Sequence, residues 1–562
     1  MNTTRYLPGW FWTVLDYFFI PVVIIFVIYQ PNFMHGFIDF LEGGNDLACV
    51  NEIFHGGVPY RDMFILFGPL NIYLNVFFML LFGKTLAVAS AYFYYGAILT
   101  LIIGYLLSRN LCRGRFFSYA AAFFLMVETF HPFWVTRWPE IRFGAGLLVL
   151  LCVVQIFKHT RKQNVWVILT GMCAGGALLI SLDVGVFSLI AVASTLCFHS
   201  AYILWQEKKV DLKNVSFFII GAFLSILPLV IYFIAVGAFL PYVNTVLALI
   251  RDFIKVWSQP VLELNLWRII RPERILRYEF KYILPVLVYL IAGIRVIIRA
   301  VGKKLTWREY GMMVITIYGL LMYKSAFRAM LGPQFQMALQ PAIVLGFILI
   351  EDIFNEAYGE IKKKRAGGGN FTKLIVCAVI FVGSMTYAVY SEKRFYGDIK
   401  GWFLYQKYKK HIMPTYTGAV PFSGLKMKAV AIDRAKGTIV LDEQAKVIEG
   451  VTEYIKKVTE PKESVFTFPE HGMYNFLTNR PCLDRFNIAG YAWTKSEWRE
   501  ELLRDLNEKK PRYIIYGKNL SNLAKAIQRT KEVLPEVIEY IEGNYEKEKT
   551  FGTTDILRRK NR

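Results

Sequence analysis

Cysteine is scarce in this sequence: seven residues of 562, at 49, 112, 152, 173, 197, 377 and 482. No two form a CxxC pair and most lie inside apolar runs, so they read as small core hydrophobes. Neither a disulfide framework nor a structural zinc site is supported. Charge is scarce in one part only. Residues 1–390 hold 33 basic and 20 acidic residues, about 14% charged; residues 391–562 hold 32 and 23, about 32%. Soluble chains carry about 25%. The first part therefore reads as a polytopic α-helical membrane domain and the second as a soluble domain, and disorder is excluded. Also missing are a glycine-rich phosphate loop, a P-loop and any internal repeat, so no cofactor or nucleic-acid partner is expected.

What is abundant is apolar length. Hydrophobic residues make up 55% of the chain and mean hydropathy is +0.37. A crossing helix needs about 20 apolar residues. Runs that qualify or nearly so are 9–29, 86–107, 116–131, 142–157, 165–181, 184–205, 215–237, 281–299, 309–327, 338–354 and 374–390, about eleven spans. The first has neither a strongly basic leader nor a small-residue cleavage site, which predicts an uncleaved span. A twelfth run, 68–83, is bounded by Gly68-Pro69 and Gly83 and is expected to lie at the outer surface without crossing. With that reading five basic connections share one face: Arg109/Arg113/Arg115, Lys158/Arg161/Lys162, Lys208/Lys209/Lys213, Arg299/Lys303/Lys304/Arg308 and Lys362/Lys363/Lys364/Arg365. The positive-inside pattern then puts the N-terminus in the cytoplasm and the C-terminal domain outside, in a plasma or inner membrane.

Three outer segments depart from this pattern: 30–67, 131–142 and 238–280. The last carries Arg251, Lys255, Arg268, Arg271, Arg274 and Arg277, either on lipid headgroups or on an anionic ligand such as a lipid phosphate. The first carries Asp39, Glu42, Asp46, Glu52 and Asp62. Glu42 and Asp46 are four apart, on one face if the segment is helical. Asp39 and Glu52 read as solvated loop acids, and Glu351-Asp352, near one end of a span, as interface anchors. Beyond 390, Thr438–Leu441, Ser464–Phe468 and Tyr513–Tyr516 read as strands. Glu443–Val458 and Ser496–Lys509 read as helices, and Glu546–Phe551 with Asp555–Arg559 as a hairpin, together a small α/β fold.

The stretch Glu42-Gly43-Gly44…His55-Gly56-Gly57-Val58-Pro59-Tyr60-Arg61-Asp62, followed by Phe67-Gly68-Pro69-Leu70, resembles the first outer loop of polyprenyl-phosphate-sugar-dependent glycosyltransferases. These form the protein mannosyltransferase and aminoarabinose transferase superfamily with the type C membrane fold. Members carry an acid about fourteen positions before a Gly-Gly; counting back from Gly56 gives Glu42. Many show Asp-Glu there, where this chain has Glu42-Gly43, and Lys-Pro-Pro where it has Phe67-Gly68-Pro69. Arg137-Trp138-Pro139-Glu140 is similar to an Arg-to-acid pair at the start of the fourth span. The tail segments SVFTFPEHGMYNFLTNRPCLDRF and KPRYIIYGK match the pattern of bacterial relatives.

The resemblance implies a multi-pass transferase that moves a sugar from a polyprenyl-phosphate donor to a glycan, lipid or protein acceptor, with inversion. It implies Glu42 as the base, Asp46 as second choice, and Arg61, Asp62, Arg137, Glu140 and Arg328 around the substrate phosphate. No metal ligand set is expected. A lipid or glycan transporter, or a non-enzymatic glycan-assembly protein, is the alternative.

Overall fold

The computed structural model describes residues 9–30, 35–36, 38–132, 135–210, 212–253, 280–327, 333–362, 399–414, 419–518 and 534–560. Among these, seven helices are long and apolar enough to cross a membrane: Gly9–Ile28, Leu86–Leu111, Ile141–Lys158, Thr160–Ile180, Leu182–Glu207, Lys213–Ala235 and Leu284–Val301. All seven were expected. Three further expected spans are helices of a different kind. Arg115–Thr129 has only 15 residues, while Trp307–Phe327 and Gln340–Lys362 carry more charge. The eleventh expected run, 374–390, lies outside the described residues. The chain is thus a multi-pass helical membrane protein. On Lys213–Ala235, Ile219, Phe223, Ile231 and Ile234 are 57–60% exposed, a surface that only lipid would cover at no cost.

The helices pack through one continuous apolar core running from Ile24 to Tyr405 and Ile412. That core passes beyond residue 390. The helix Ile399–Tyr408 joins the bundle, with the Trp402 ring 5.5 Å from that of Phe123 and Lys409 Nζ donating to Val27 O at 3.1 Å.

Charges at one end of the bundle are buried and paired. Arg308 meets Glu351 at 2.7 Å and also bonds Asp352, which in turn meets Arg295 at 2.8 Å. Glu351 also accepts from Arg113 N at 2.9 Å and from Gly114 N. Glu351 and Asp352 are therefore not interface anchors; at 0% and 2% exposure they need the cation and backbone donors they have. Asp16, 2% exposed inside the first span, is held likewise by Arg109 at 2.9 Å, Arg115 at 3.1 Å and the Tyr119 hydroxyl at 2.6 Å.

The run 68–83 forms the helix Pro69–Phe82. Fourteen residues span roughly 21 Å, short of the ~30 Å hydrocarbon core. Gly68 is required at its start: a Cβ there would sit 2.3 Å from Leu179 O.

Nine short strands occur among the described residues. β1 (His35–Gly36) pairs in parallel with β5 (Ile439–Leu441), which pairs antiparallel with β4 (Met427–Ala429). β2 (Ile412–Pro414) and β3 (Ala419–Pro421) form a ribbon. β6 (Phe466–Phe468), β7 (Tyr513–Gly517), β9 (Thr554–Arg559) and β8 (Tyr545–Phe551) make a sheet ordered β6-β7-β9-β8. The expected tail helices run Asp442–Val458 and Ser496–Lys509. The first opens on Asp442 and Glu443 and ends on Lys456 and Lys457, matching the helix dipole. Its buried stripe is Ala445, Ile448, Val451, Thr452 and Ile455, with β4 and β5 packed on the helix as well as β8 and β9.

β1 belongs to the first outer loop, not to the tail. The loop and tail also share an apolar core in which Ile38, Leu47, Val50 and Ile65 pack with Val440, Ile448, Phe476 and Ile515. The outer loop is folded into the tail, and that places the site.

Candidate active site at the junction of loop and tail

The loop helix runs Glu42–Phe54. Asp39 starts it: Oδ1 accepts from Leu41 N and Oδ2 from Gly43 N, each at 3.3 Å. A carboxylate here satisfies donors that lack an intrahelical partner and meets the positive end of the dipole. Asp39 is therefore a helix-starting group, not a solvated acid. Gly44 lets the helix press on the tail, since a Cβ there would lie 3.3 Å from Met473 Cβ. Glu42 is the first helical residue and Asp46 stands one turn further on.

Asp46 is 2% exposed. Its Oδ2 accepts from Asn71 Nδ2 at 3.1 Å and its Oδ1 from Asn45 Nδ2 at 3.4 Å. Asn71, from the short apolar helix, accepts in turn from the Tyr92 hydroxyl at 3.0 Å. From the tail, Asn487 Nδ2 donates to Asn45 Oδ1 at 3.0 Å and to Asn45 O at 3.2 Å. A hydrogen-bonded chain therefore runs from tail to span through Asp46. Burial pushes the Asp46 carboxyl up to about 7, against the opposing pull of Asn71, Arg142 and Asn45.

Arg142 is the buried cation of this region, 2% exposed, with its guanidinium 4.0 Å from the Phe67 ring and 4.1 Å from that of Trp138. It acts on Asp46 and on Glu140. Glu140 stands at the N-cap position of the helix Ile141–Lys158 without a side-chain capping bond and is 2% exposed; its Oε1 has no hydrogen-bond partner among the described residues, and burial pushes its carboxyl well up.

Arg137, 9% exposed, lines a partly open cleft at the head of the loop helix. Asp39 and Gly43 from the loop, Ser90 and Phe93 from the second long helix, Thr136, and Thr438 and Met473 from the tail share its wall. The structure thus brings Arg137 to the residue next to Glu42.

It places the other expected residues differently. Arg61 is exposed and pairs with Asp62 at 2.7 Å, while its Nη1 donates to Val236 O at 2.8 Å. Asp62 accepts from Val58 N at 2.8 Å, and Tyr60, at φ +67°, is buried against Phe233 and Tyr242. The Pro-Tyr-Arg-Asp segment therefore builds a turn that docks the loop on the helix Lys213–Ala235. Glu52 is also not solvated; it is 8% exposed and accepts from Cys482 N of the tail at 2.7 Å. Arg328 and residues 254–279 of the basic segment lie outside the described residues, and Arg251 pairs with Asp252 at 3.4 Å. No group of three His, Cys, Asp or Glu residues placed to hold a metal occurs among the described residues.

This architecture is the type C membrane glycosyltransferase fold expected from the outer loop. Solved structures with it include ArnT from Cupriavidus metallidurans bound to undecaprenyl phosphate, at TM-score 0.52 and 11% identity over 98% of each chain. Another is the oligosaccharyltransferase AglB from Archaeoglobus fulgidus in complex with an inhibitory peptide and a dolichol-phosphate. There the TM-score is 0.51 and the identity 12%, over 97% of this chain and 74% of that one. No protein-family model and no curated protein sequence matches the chain.

Asn71, Asn45, Asn487 and Thr438 escaped the sequence reading, and Arg142 entered it only as the residue that follows the Arg137-Trp138-Pro139-Glu140 motif. Two left a signal. Arg142 opens an apolar span, where a charge is expensive. Asn71 and Asn75 are one turn apart in an otherwise apolar helix, and both are buried. Asn487 and Thr438 left none, since only the folding of loop onto tail brings them to the site.

Proposed function

We propose that this chain is a glycosyltransferase that moves a sugar from a polyprenyl-phosphate-linked donor to a hydroxyl or amine acceptor at the outer face of the membrane. The observation that carries the reading is the cleft at the head of the loop helix, with Arg137 in its wall beside the residue that follows Glu42. The shared fold supports it, as do the five basic connections, which phase this end of the bundle outside and the N-terminus inside.

In the reaction the acceptor oxygen or nitrogen attacks the anomeric carbon and the bond to the phosphate oxygen breaks. The bond's electron pair stays on that oxygen as polyprenyl phosphate departs, and a single displacement inverts the centre. Glu42 takes the acceptor proton. Asp46, buried and hydrogen-bonded on both oxygens, holds the loop helix to the short apolar helix and to Arg142. Arg137 neutralises charge developing on the leaving phosphate, an interaction that a water-poor site strengthens. Arg328 and the basic 238–280 segment are further candidates for the phosphate.

The test is transfer of radiolabelled sugar from polyprenyl-phosphate donors into lipid, glycan or protein fractions of membranes that carry or lack this chain. Incorporation that depends on the chain supports the reading. Movement of the intact labelled lipid between leaflets, with no transfer, would establish the transporter alternative instead.

A further inference from the structure

We propose that the end of the bundle around Asp16 binds an anionic phospholipid, with the lipid phosphate on Arg113 and Arg115 and the acyl chains along the opening turns of the first span. This site is far from the loop and tail, and it does not depend on the activity proposed above.

The first span is packed unevenly. Ile24 and Ile28, in its second half, are buried, whereas its opening turns, Gly9–Val14, bury no residue. Trp10, Tyr17 and Phe18 are exposed, and so is Phe116 on the helix Arg115–Thr129, whose Arg115 and Tyr119 reach the span at Asp16. What ties this half of the span to the bundle is polar. Asp16 lies in a wide π turn, Leu15–Phe19, and its backbone carbonyl accepts from the Tyr105 hydroxyl at 2.8 Å. Such turns are inserted where a helix must present a group out of its regular register. Apolar surface left open beside a charged cluster is what an acyl chain and its headgroup cover together.

The charges at Asp16 do not cancel. Its Oδ2 accepts from Nε of both Arg109 and Arg115, at 2.9 and 3.1 Å, and its Oδ1 from Tyr119 at 2.6 Å, so one carboxylate serves two guanidiniums. The Trp12 ring lies 4.5 Å from the Arg115 guanidinium. A ring stacked on the face of a guanidinium leaves the N–H donors at its edge available. Among the described residues none accepts from the two η nitrogens of Arg115, and the side chain is 37% exposed. Arg113 gives its backbone amide to Glu351, which is itself paired with Arg308, and the Arg113 side chain is exposed.

A phosphate diester suits this arrangement. It accepts from guanidinium edges in the strong charge-assisted geometry and brings the negative charge that Asp16 alone does not supply. A zwitterionic headgroup brings a cation as well, which Arg113 and Arg115 repel. The five basic connections predict that this end faces the cytoplasm, the side on which basic pockets between helices take anionic headgroups.

The experiment incubates the full-length protein in micelles with a photoactivatable phosphatidylglycerol and maps the crosslinks by mass spectrometry. Labelling should fall within 10–18 and 113–119, and unlabelled phosphatidylglycerol should displace it about 10-fold better than phosphatidylcholine. Arg113→Gln, whose side chain has no bond in the protein to lose, should weaken phosphatidylglycerol by about 5-fold with thermal stability unchanged. Arg113→Gln with Arg115→Gln should remove the preference between the two lipids. The proposal is overturned if both lipids compete equally on wild type, if Arg113→Gln leaves the preference intact, or if the label falls elsewhere. Displacement by millimolar inorganic phosphate as effective as that by phosphatidylglycerol would also overturn it, since the site would then be one for a free anion.

Discussion

Asn71 donates to Asp46 across 3.1 Å, and this bond ties the short apolar helix Pro69–Phe82 to the head of the loop helix. Asn71 spends its other amide atom on Tyr92, so a single side chain couples the loop helix, the short apolar helix and a long span. Asn71→Leu leaves the buried Asp46 carboxyl short of a partner and leaves the Tyr92 hydroxyl only the residue-71 carbonyl, at 3.3 Å. We expect a loss of about 1–3 kcal/mol in stability, read by thermal unfolding of the purified protein. A variant as stable as wild type would show that the bond contributes nothing net.

Three buried carboxyls at the junction, Asp46, Glu52 and Asp484, are each pushed up to about 7, chiefly by burial. A carboxyl raised in the folded state binds its proton more tightly folded than unfolded. The stability it contributes is therefore present at low pH and lost as pH rises from about 4 through 7. Hydrogen exchange of the loop helix should be slower at pH 5.5 than at pH 8 after correction for intrinsic rates, and the double variant Glu52→Gln/Asp484→Asn should flatten the difference. Protection that grows with pH would contradict the assignment.

The tail also grips the loop through Arg434. Its Nη1 donates to Asn51 Oδ1 at 2.7 Å and to Phe476 O at 2.8 Å, and its Nη2 to Asn479 Oδ1 at 2.5 Å. Arg434→Ala strands these acceptors and should cost about 3 kcal/mol at the junction. Limited proteolysis should then cut within 55–67 faster than in wild type while leaving the membrane helices protected. Equal cleavage rates would show that the apolar contacts alone hold the loop down.

The membrane helices were legible because apolar length is a one-dimensional signal: the runs 86–107 and 142–157 became Leu86–Leu111 and Ile141–Lys158. The tail helices and the closing hairpin were legible for the same reason, each being a local pattern. The site was legible only where it is local. Glu42 and Asp46 entered as candidates through the family resemblance of one segment, and Arg137 through that of a four-residue motif. Asn487 and Arg434 reach partners 442 and 383 residues away, and Thr438 is brought in by a parallel pairing of two short strands that no periodicity announces. Glu52, Glu351 and Asp352 were misread because an acid beside an apolar run looks the same whether it faces water or a buried donor.

The basic connections predict an orientation with the tail outside. Cysteine labelling of intact cells should modify a cysteine placed in the tail with a membrane-impermeant reagent and leave one at Gly368 unmodified until the membrane is opened. The reverse pattern would invert the topology and move the proposed site to the cytoplasmic face.

The most direct measurement compares Glu42→Gln with Asp46→Asn in transfer of sugar from a polyprenyl-phosphate donor, with donor binding followed in parallel. Glu42→Gln should lower transfer by roughly 10²- to 10⁴-fold, the usual contribution of a general base, and leave donor affinity within a few-fold of wild type. Asp46→Asn should cost less transfer and more stability, since that carboxyl is buried between Asn45 and Asn71. Full transfer by Glu42→Gln, in a protein that is folded and membrane-inserted, would contradict the mechanism.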